Sequence, residues 1–248
     1  MSGLEAARVL VIGLGASGTA AAEALVRSEV AGLTVVDTRD TPEVAERAAA
    51  LRARGLDARA GVTGTDVLAD RDLVIASPGV APSNPLLAAA IAGPPRVWSE
   101  PELAWRLNAG RTRLVAVTGT NGKTTTAELL AACLRSPVGG NIGMPLTTLL
   151  AAPRAPETVV AELSSFQLRF TEQLRCTVGV LLNVAADHLD WHGGLADYAR
   201  AKARVWANQR SAGGHGRYGR DWAVIGVDDP GTGSGRGGRR HGGQPRGR

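Results

Sequence analysis

Twice in this chain a short apolar run breaks into a glycine turn and then into an alanine- or threonine-rich helical pattern. The first instance is "RVLVIGLGASG" at 8–18 and the second is "VAVTGTNGKTTT" at 115–126. An unbroken apolar run of this length suits a strand covered on both faces. A helix directly after it carries the chain back to start a parallel neighbour. The recurrence constrains the chain to an α/β fold with parallel sheets and places two glycine turns at strand ends, where such sheets bind ligands.

The segments between agree. In the first 95 residues "LTVVD" (33–37) and "DLVIASPG" (72–79) read as further strands. Helical patterns follow at 18–29, 41–55 and 84–93, the second with Pro42 near its first turn. "GPP" at 93–95 and "SEPEL" at 99–103 read as a boundary. A second series then runs through strands at 112–119, 158–165 and 176–184 and helices at 122–135 and 195–209, with "WAVIGV" (222–227) as a last strand. The division expected is 1–95, 96–230 and a Gly/Arg tail at 231–248.

Charge is uneven. The net of +5 on 248 residues comes from the tail, whose 18 residues hold five arginines and no acid; the rest carries 23 basic and 23 acidic residues. The body is therefore not expected to bind nucleic acid, and the tail is expected to be disordered. No apolar run is long enough to cross a membrane, and no secretory signal pattern opens the chain. Cys133 and Cys176 stand singly in apolar stretches, as core thiols of a reducing compartment do. A cytoplasmic protein is expected. Only two lysines, Lys123 and Lys202, stand among 26 arginines, which marks both as positions where a guanidinium does not serve.

Gly13-x-Gly15-x-x-Gly18, with Asp37 at the end of the next apolar run, is by rule a dinucleotide fingerprint. An NAD-dependent oxidoreductase gives no reason for the second turn, however. There Gly119, Thr120, Asn121, Gly122, Lys123, Thr124 and Thr125 link a strand to a helix. Backbone amides of such a loop point at phosphate oxygens, a lysine reaches the β/γ-phosphates, and a following hydroxyl holds Mg²⁺. The general pattern has glycine where this chain has Val117; "TGTNGKTT" is a variant. Two more strand ends bear chemistry: Glu162 in "ELSSFQL" and Asp187–His188 in "NVAADHLDWH". Each alone is an ordinary surface residue; their convergence on one sheet edge is what points to a site. Lys202, on a predicted helix, carries an amine that can form a carbamate when neutral.

Together these motifs resemble the Mur ligases, the ATP-dependent amide-forming ligases of peptidoglycan assembly. "GLGASG" with "DTR", "ASPG", "TGTNGKTTT", "GGNIGMP", "ELSSFQL" and "LNVAADHLD" occur in that family's order, over about residues 5–210. The closest branch adds D-glutamate to UDP-N-acetylmuramoyl-L-alanine. The resemblance implies a Rossmann-like N-terminal domain that holds the UDP end of that substrate through Gly15, Ser17, Asp37, Thr38, Arg39 and Gly79, and an incomplete P-loop-type ATP-binding central domain. It implies further substrate contacts at Asn141 and Ser164 and catalytic roles for Lys123, His188 and Lys202. One Mg²⁺ site is implied at Thr124 and Glu162, and a second at His188 and carbamylated Lys202.

The implied reaction phosphorylates the L-alanyl carboxylate with ATP. The D-glutamate amine then attacks the acyl phosphate. Family members have three domains, so the resemblance implies that the third is absent here and turnover is impaired. A monomer is expected. The alternative is a fragment that binds nucleotide or UDP-sugar without catalysis. The family also has a strand between the helix after Lys123 and "GGNIG", for which "RSPV" leaves little room.

Overall fold

The computed structural model describes residues 3–81, 83–187, 192–210 and 221–226. The tail at 231–248 lies outside these. Two parallel five-stranded sheets organise the chain.

The first sheet is built from β1 (Arg8–Ile12), β2 (Gly32–Val36), β3 (Asp57–Arg59), β4 (Leu73–Ala76) and β5 (Arg96–Ser99). Their spatial order is β3-β2-β1-β4-β5, that of a Rossmann half-unit extended by two strands. Helices α1 (Ala16–Arg27), α2 (Pro42–Ala53) and α3 (Pro85–Ala92) link them. Alternation along β1 sends Val9 and Val11 into one apolar layer and Leu10 and Ile12 into the other, so both faces are covered. Local chemistry sets the helix starts. Thr41 accepts from the Val44 amide ahead of Pro42, and Asn84 accepts from Leu86 and Leu87 ahead of Pro85.

The second sheet contains β6 (Arg113–Thr118), β7 (Val138–Gly140), β8 (Thr158–Glu162), β9 (Val178–Leu181) and β10 (Trp222–Ile225), in the order β10-β9-β6-β8-β7. The helices are α4 (Glu100–Asn108), which leads into this sheet, α5 (Lys123–Leu134), α6 (Leu146–Leu150), α7 (Ser165–Arg169) and α8 (Leu195–Ala203). Leu114 and Ala116 face one core layer, Val115 and Val117 the other. All four residues of β10 are exposed.

Several elements differ from expectation. Arg96–Ser99 lies beyond the expected boundary at 95 yet pairs with β4 in the first sheet, because Val97 and Trp98 after Pro94–Pro95 form a short strand that the turn residues mask. "SEPEL" is not a linker but the start of α4, with Pro101 in its first turn. α4 packs on α6 and α1, and its Leu103 and Ala104 enter the cores of the first and second sheets respectively. The short "RSPV" link still delivers a strand, since Val138–Gly140 pairs with β8. Cys133 is exposed rather than a core thiol; α5 buries Ala127 and Ala131, and Cys133 falls away from them. Cys176 is the buried one, its thiol pushed up to about 12 mainly by burial. Among the described residues no helix is long and apolar enough to cross a membrane.

Candidate functional site

Two strand-end sites face the solvent. In the first sheet the chain leaves β1 for one side and β4 for the other, and a crevice opens between their ends. A cleft of about 580 Å³ there is lined by Gly13, Gly15, Ser17, Asp37, Thr38, Arg39, Ser77 and Gly79, among others. The glycines are needed for space. At Gly13, with φ +105°, a Cβ would lie 2.8 Å from Ser77 Cβ, and at Gly18 it would fall on the Gly13 carbonyl. The Ser77 hydroxyl donates to that same carbonyl at 3.2 Å.

Asp37 is buried, and its carboxylate is fully engaged by the protein. It accepts from the Leu14 amide at 2.9 Å, the Arg39 amide at 2.9 Å, and Arg39 Nε and Nη2 at 3.0 and 2.8 Å. An ionised carboxylate offers about four acceptor positions, so none remains for a ribose hydroxyl. Burial pushes the Asp37 carboxyl up, but the bonds from Arg39 and Leu14 outweigh it and hold the group below the usual carboxylate range. Asp37 thus ties Arg39 to the glycine turn, and Asn84 Nδ2 donates to Thr38 Oγ1 at 2.9 Å from the far wall.

In the second sheet β6 is the switch point, flanked by β8 and β9. At its end Gly119 and Gly122 turn the chain into α5; Gly122 caps the helix in the left-handed region at φ +79°, which favours glycine. The first i→i−4 bond of α5 runs from the Thr126 amide to the Gly122 carbonyl. The amides of Gly122, Lys123, Thr124 and Thr125 therefore have no acceptor within the helix. Lys123 Nζ lies back along the loop, donating to the Thr120 carbonyl at 2.8 Å.

Glu162 ends β8 opposite Val117 and is buried. Its carboxylate accepts from Thr124 Oγ1 at 2.7 Å and from Asn141 Nδ2 at 2.8 Å, and its carbonyl accepts from the Asn141 amide. Asn141 thus holds Glu162 in place. Gly140 makes this approach possible, since a Cβ there would strike the Glu162 carbonyl. Ser164 caps α7 in a reciprocal box with Gln167.

Lys202 reaches the same loop from α8. It is buried, donates to the Gly119 carbonyl at 2.7 Å and lies 4.4 Å from the centre of the Tyr198 ring. Burial, then repulsion from Lys123, lowers its pKa to about 7 against the opposing pull of Asp187. His188 lies outside the described residues. Among the described residues no group of three His, Cys, Asp or Glu converges as a metal site; what converges is the hydroxyl–carboxylate pair of Thr124 and Glu162.

The sequence did not single out Asn183, Asn84 or Tyr198. Asn183 accepts from two loop amides. Tyr198 sits within hydrogen-bonding distance of Thr120 Oγ1, at 3.2 Å. Asn183 opens "NVAADHLDWH" two residues past a strand end, and Tyr198 stands one helical turn before Lys202.

These features define a two-sheet protein with a cleft at the first switch point and a glycine loop at the second, and comparison with known proteins names the class. Residues 7–97 match a model of the Mur ligase MurD-like N-terminal domain, and residues 117–236 match a model of the Mur ligase middle domain. The chain belongs to the Mur ligase family. It is 49% identical over 203 residues to the UDP-N-acetylmuramoylalanine–D-glutamate ligase of Frankia casuarinae, covering 80% of this chain and 42% of the relative. It is 46% identical over 234 residues to the enzyme of the same name from Mycolicibacterium smegmatis, covering 90% and 43%. The chain thus spans under half the length of these relatives. In fold it is similar to the UDP-N-acetylmuramate:L-alanyl-gamma-D-glutamyl-meso-diaminopimelate ligase of Neisseria meningitides, with a TM-score of 0.54, 18% identity, and coverage of 91% and 73%.

Proposed function

We propose that this chain supplies the UDP-substrate cleft and the ATP phosphate site of a ligase that joins D-glutamate to UDP-N-acetylmuramoyl-L-alanine. The observation that carries the reading is the meeting of loop 119–125, Glu162 and Lys202 at one sheet edge, in a chain similar to D-glutamate ligases.

The first cleft would receive the UDP end, with Thr38 and Arg39 on the uracil side and the glycine turn beneath. Asp37 acts indirectly, by holding Arg39. At the second edge the amides of Gly122–Thr125 donate to phosphate oxygens, and Lys123 swings from the Thr120 carbonyl to neutralise charge on the transferred phosphoryl group. That group passes to the L-alanyl carboxylate; the D-glutamate amine displaces it, leaving amide and phosphate. Thr124 and Glu162 are hard oxygen donors already 2.7 Å apart and fit Mg²⁺, which when bound supplies further charge neutralisation. Lys202, with its amine near neutrality, would add to CO₂ with loss of one proton. The carbamate nitrogen keeps one N–H, so the bond to the Gly119 carbonyl survives. With His188 this carbamate would form the second Mg²⁺ site. Cytoplasmic location and a monomeric state belong to the same proposal.

Calorimetric titration tests it. The wild-type chain binds UDP and, in Mg²⁺, ADP; Lys123→Ala weakens ADP on the order of a hundredfold while UDP binding stays unchanged. Equal ADP affinity in both proteins would refute the phosphate site. Phosphate release with ATP, UDP-N-acetylmuramoyl-L-alanine and D-glutamate separates a catalytic chain from a binding fragment.

A further inference from the structure

The phosphate loop is held by a side chain at the head of "NVAADHLDWH" to which the sequence assigned no role. β6 and β9 run side by side to Thr118 and Leu181, and the ladder continues one step, from the Leu182 amide to the Thr118 carbonyl at 3.0 Å. Then the loop turns away, and backbone pairing is reduced to one bond, from the Thr120 amide to the Asn183 carbonyl at 3.1 Å. The Asn183 carboxamide takes over. Its Oδ1 accepts from the Thr120 amide at 3.0 Å and the Asn121 amide at 2.9 Å, and its Nδ2 donates to the Asn121 carbonyl at 3.1 Å. The loop lies directly on this segment: a Cβ at Gly119 would be 3.1 Å from Leu182 Cβ and 3.4 Å from the Asn183 nitrogen.

We propose that Asn183 is a positioning residue that divides the loop's amides into two sets. Those of Thr120 and Asn121 are taken up by its carboxamide; those of Gly122, Lys123, Thr124 and Thr125 are left to face the phosphate chain of a nucleoside di- or triphosphate. The assignment rests on the nucleotide reading above. It follows from donor counting. A loop whose amides all competed for phosphate would have no fixed register, whereas one pinned at 120–121 presents the next four in one geometry before the ligand arrives. The pin also sets the Thr120 carbonyl, which holds Lys123 Nζ.

The test combines amide-resolved hydrogen exchange with calorimetry, using ADP with Mg²⁺ and UDP as probes. In the wild-type chain Thr120 and Asn121 exchange slowly without ligand, and ADP adds protection at 122–125 only. Asn183→Ala speeds exchange at 121, while the Thr120 amide keeps the Asn183 backbone carbonyl, and it weakens ADP on the order of tenfold or more, with UDP affinity unchanged as the mark of a folded chain. Asn183→Asp keeps both acceptor bonds and sets a negative charge beside the loop. It retains the protection and loses ADP affinity, and it carries the test if the alanine variant misfolds. ADP affinity unchanged in the folded variants, or protection at 121 that survives in Asn183→Ala, overturns the assignment while the nucleotide reading stands. Failure of the wild-type chain to bind ADP overturns both.

Discussion

Lys123 and Lys202 are the chain's two lysines, and the fold brings both to the loop 119–123, one donating to the Thr120 carbonyl and the other to the Gly119 carbonyl. The rarity of lysine made the pair legible without any structure. Its chemistry was not, because the depression of Lys202 to about 7 depends first on burial by tertiary packing and next on Lys123, 79 positions away in sequence. The proposed carbamate yields a direct prediction. With ¹³C-labelled bicarbonate the wild-type chain gives a carbamate ¹³C resonance that grows as pH rises through about 7, the range in which the Lys202 amine loses its proton. Lys202→Arg abolishes that resonance, since a guanidinium stays protonated, and Lys123→Ala retains it. A resonance that persists in Lys202→Arg would place the carbamate elsewhere.

At the scale of elements, strands and helices with strong periodicity were readable, and short elements bounded by proline or glycine were not. β5 and β7, of four and three residues, have no period to detect; what makes them strands is a neighbour with open hydrogen-bonding groups. α4 was hidden by its own first residues, since Ser99, Glu100 and Pro101 read equally as a turn. Its importance lies in Glu102, a fully buried carboxylate that accepts from Arg106 Nε and from the amides of Glu172, Gln173 and Leu174. Three successive amides before β9 thus close on one side chain. Removal of the carboxylate leaves the three amides without their acceptor and leaves the Arg106 guanidinium with Glu172 alone. Glu102→Ala is therefore expected to lower unfolding stability by about 3–5 kcal/mol, and Glu102→Gln, which keeps one oxygen, by about 1–3 kcal/mol. Urea unfolding followed by tryptophan fluorescence measures both; a cost under ~1 kcal/mol for the alanine variant would show that solvent replaces the carboxylate.

For the whole molecule, α4 packs into the cores of both sheets, so the two are expected to unfold as one cooperative body. Leu103 is in the first sheet's core and Ala104 in the second's, and Glu100, directly after β5, accepts from the Thr147 amide and hydroxyl of α6 at 2.5 and 2.6 Å. Glu100 is fully buried, and its second oxygen has no hydrogen-bond partner among the described residues. Burial raises its pKa to about 7 from 4.5, against the lowering effect of Thr147. The folded chain therefore keeps a proton that the unfolded chain releases earlier as pH rises. The stability linked to this group is fully present below pH 4.5, declines through the window up to about 7, and is flat above it. The whole loss corresponds to about 3 kcal/mol. Asp37 and Asp221, held below the usual carboxylate range by Arg39 and Arg175 despite burial, act in the opposite direction and lose their contribution only at lower pH. Glu100→Gln keeps an acceptor for Thr147 but does not titrate. The difference in unfolding free energy between variant and wild type should then shift by about 3 kcal/mol in the variant's favour from pH 4.5 to 7.5, within a single unfolding transition. Parallel pH profiles would show that water reaches the carboxyl. Two separate transitions, one per sheet, would show that α4 does not join the cores.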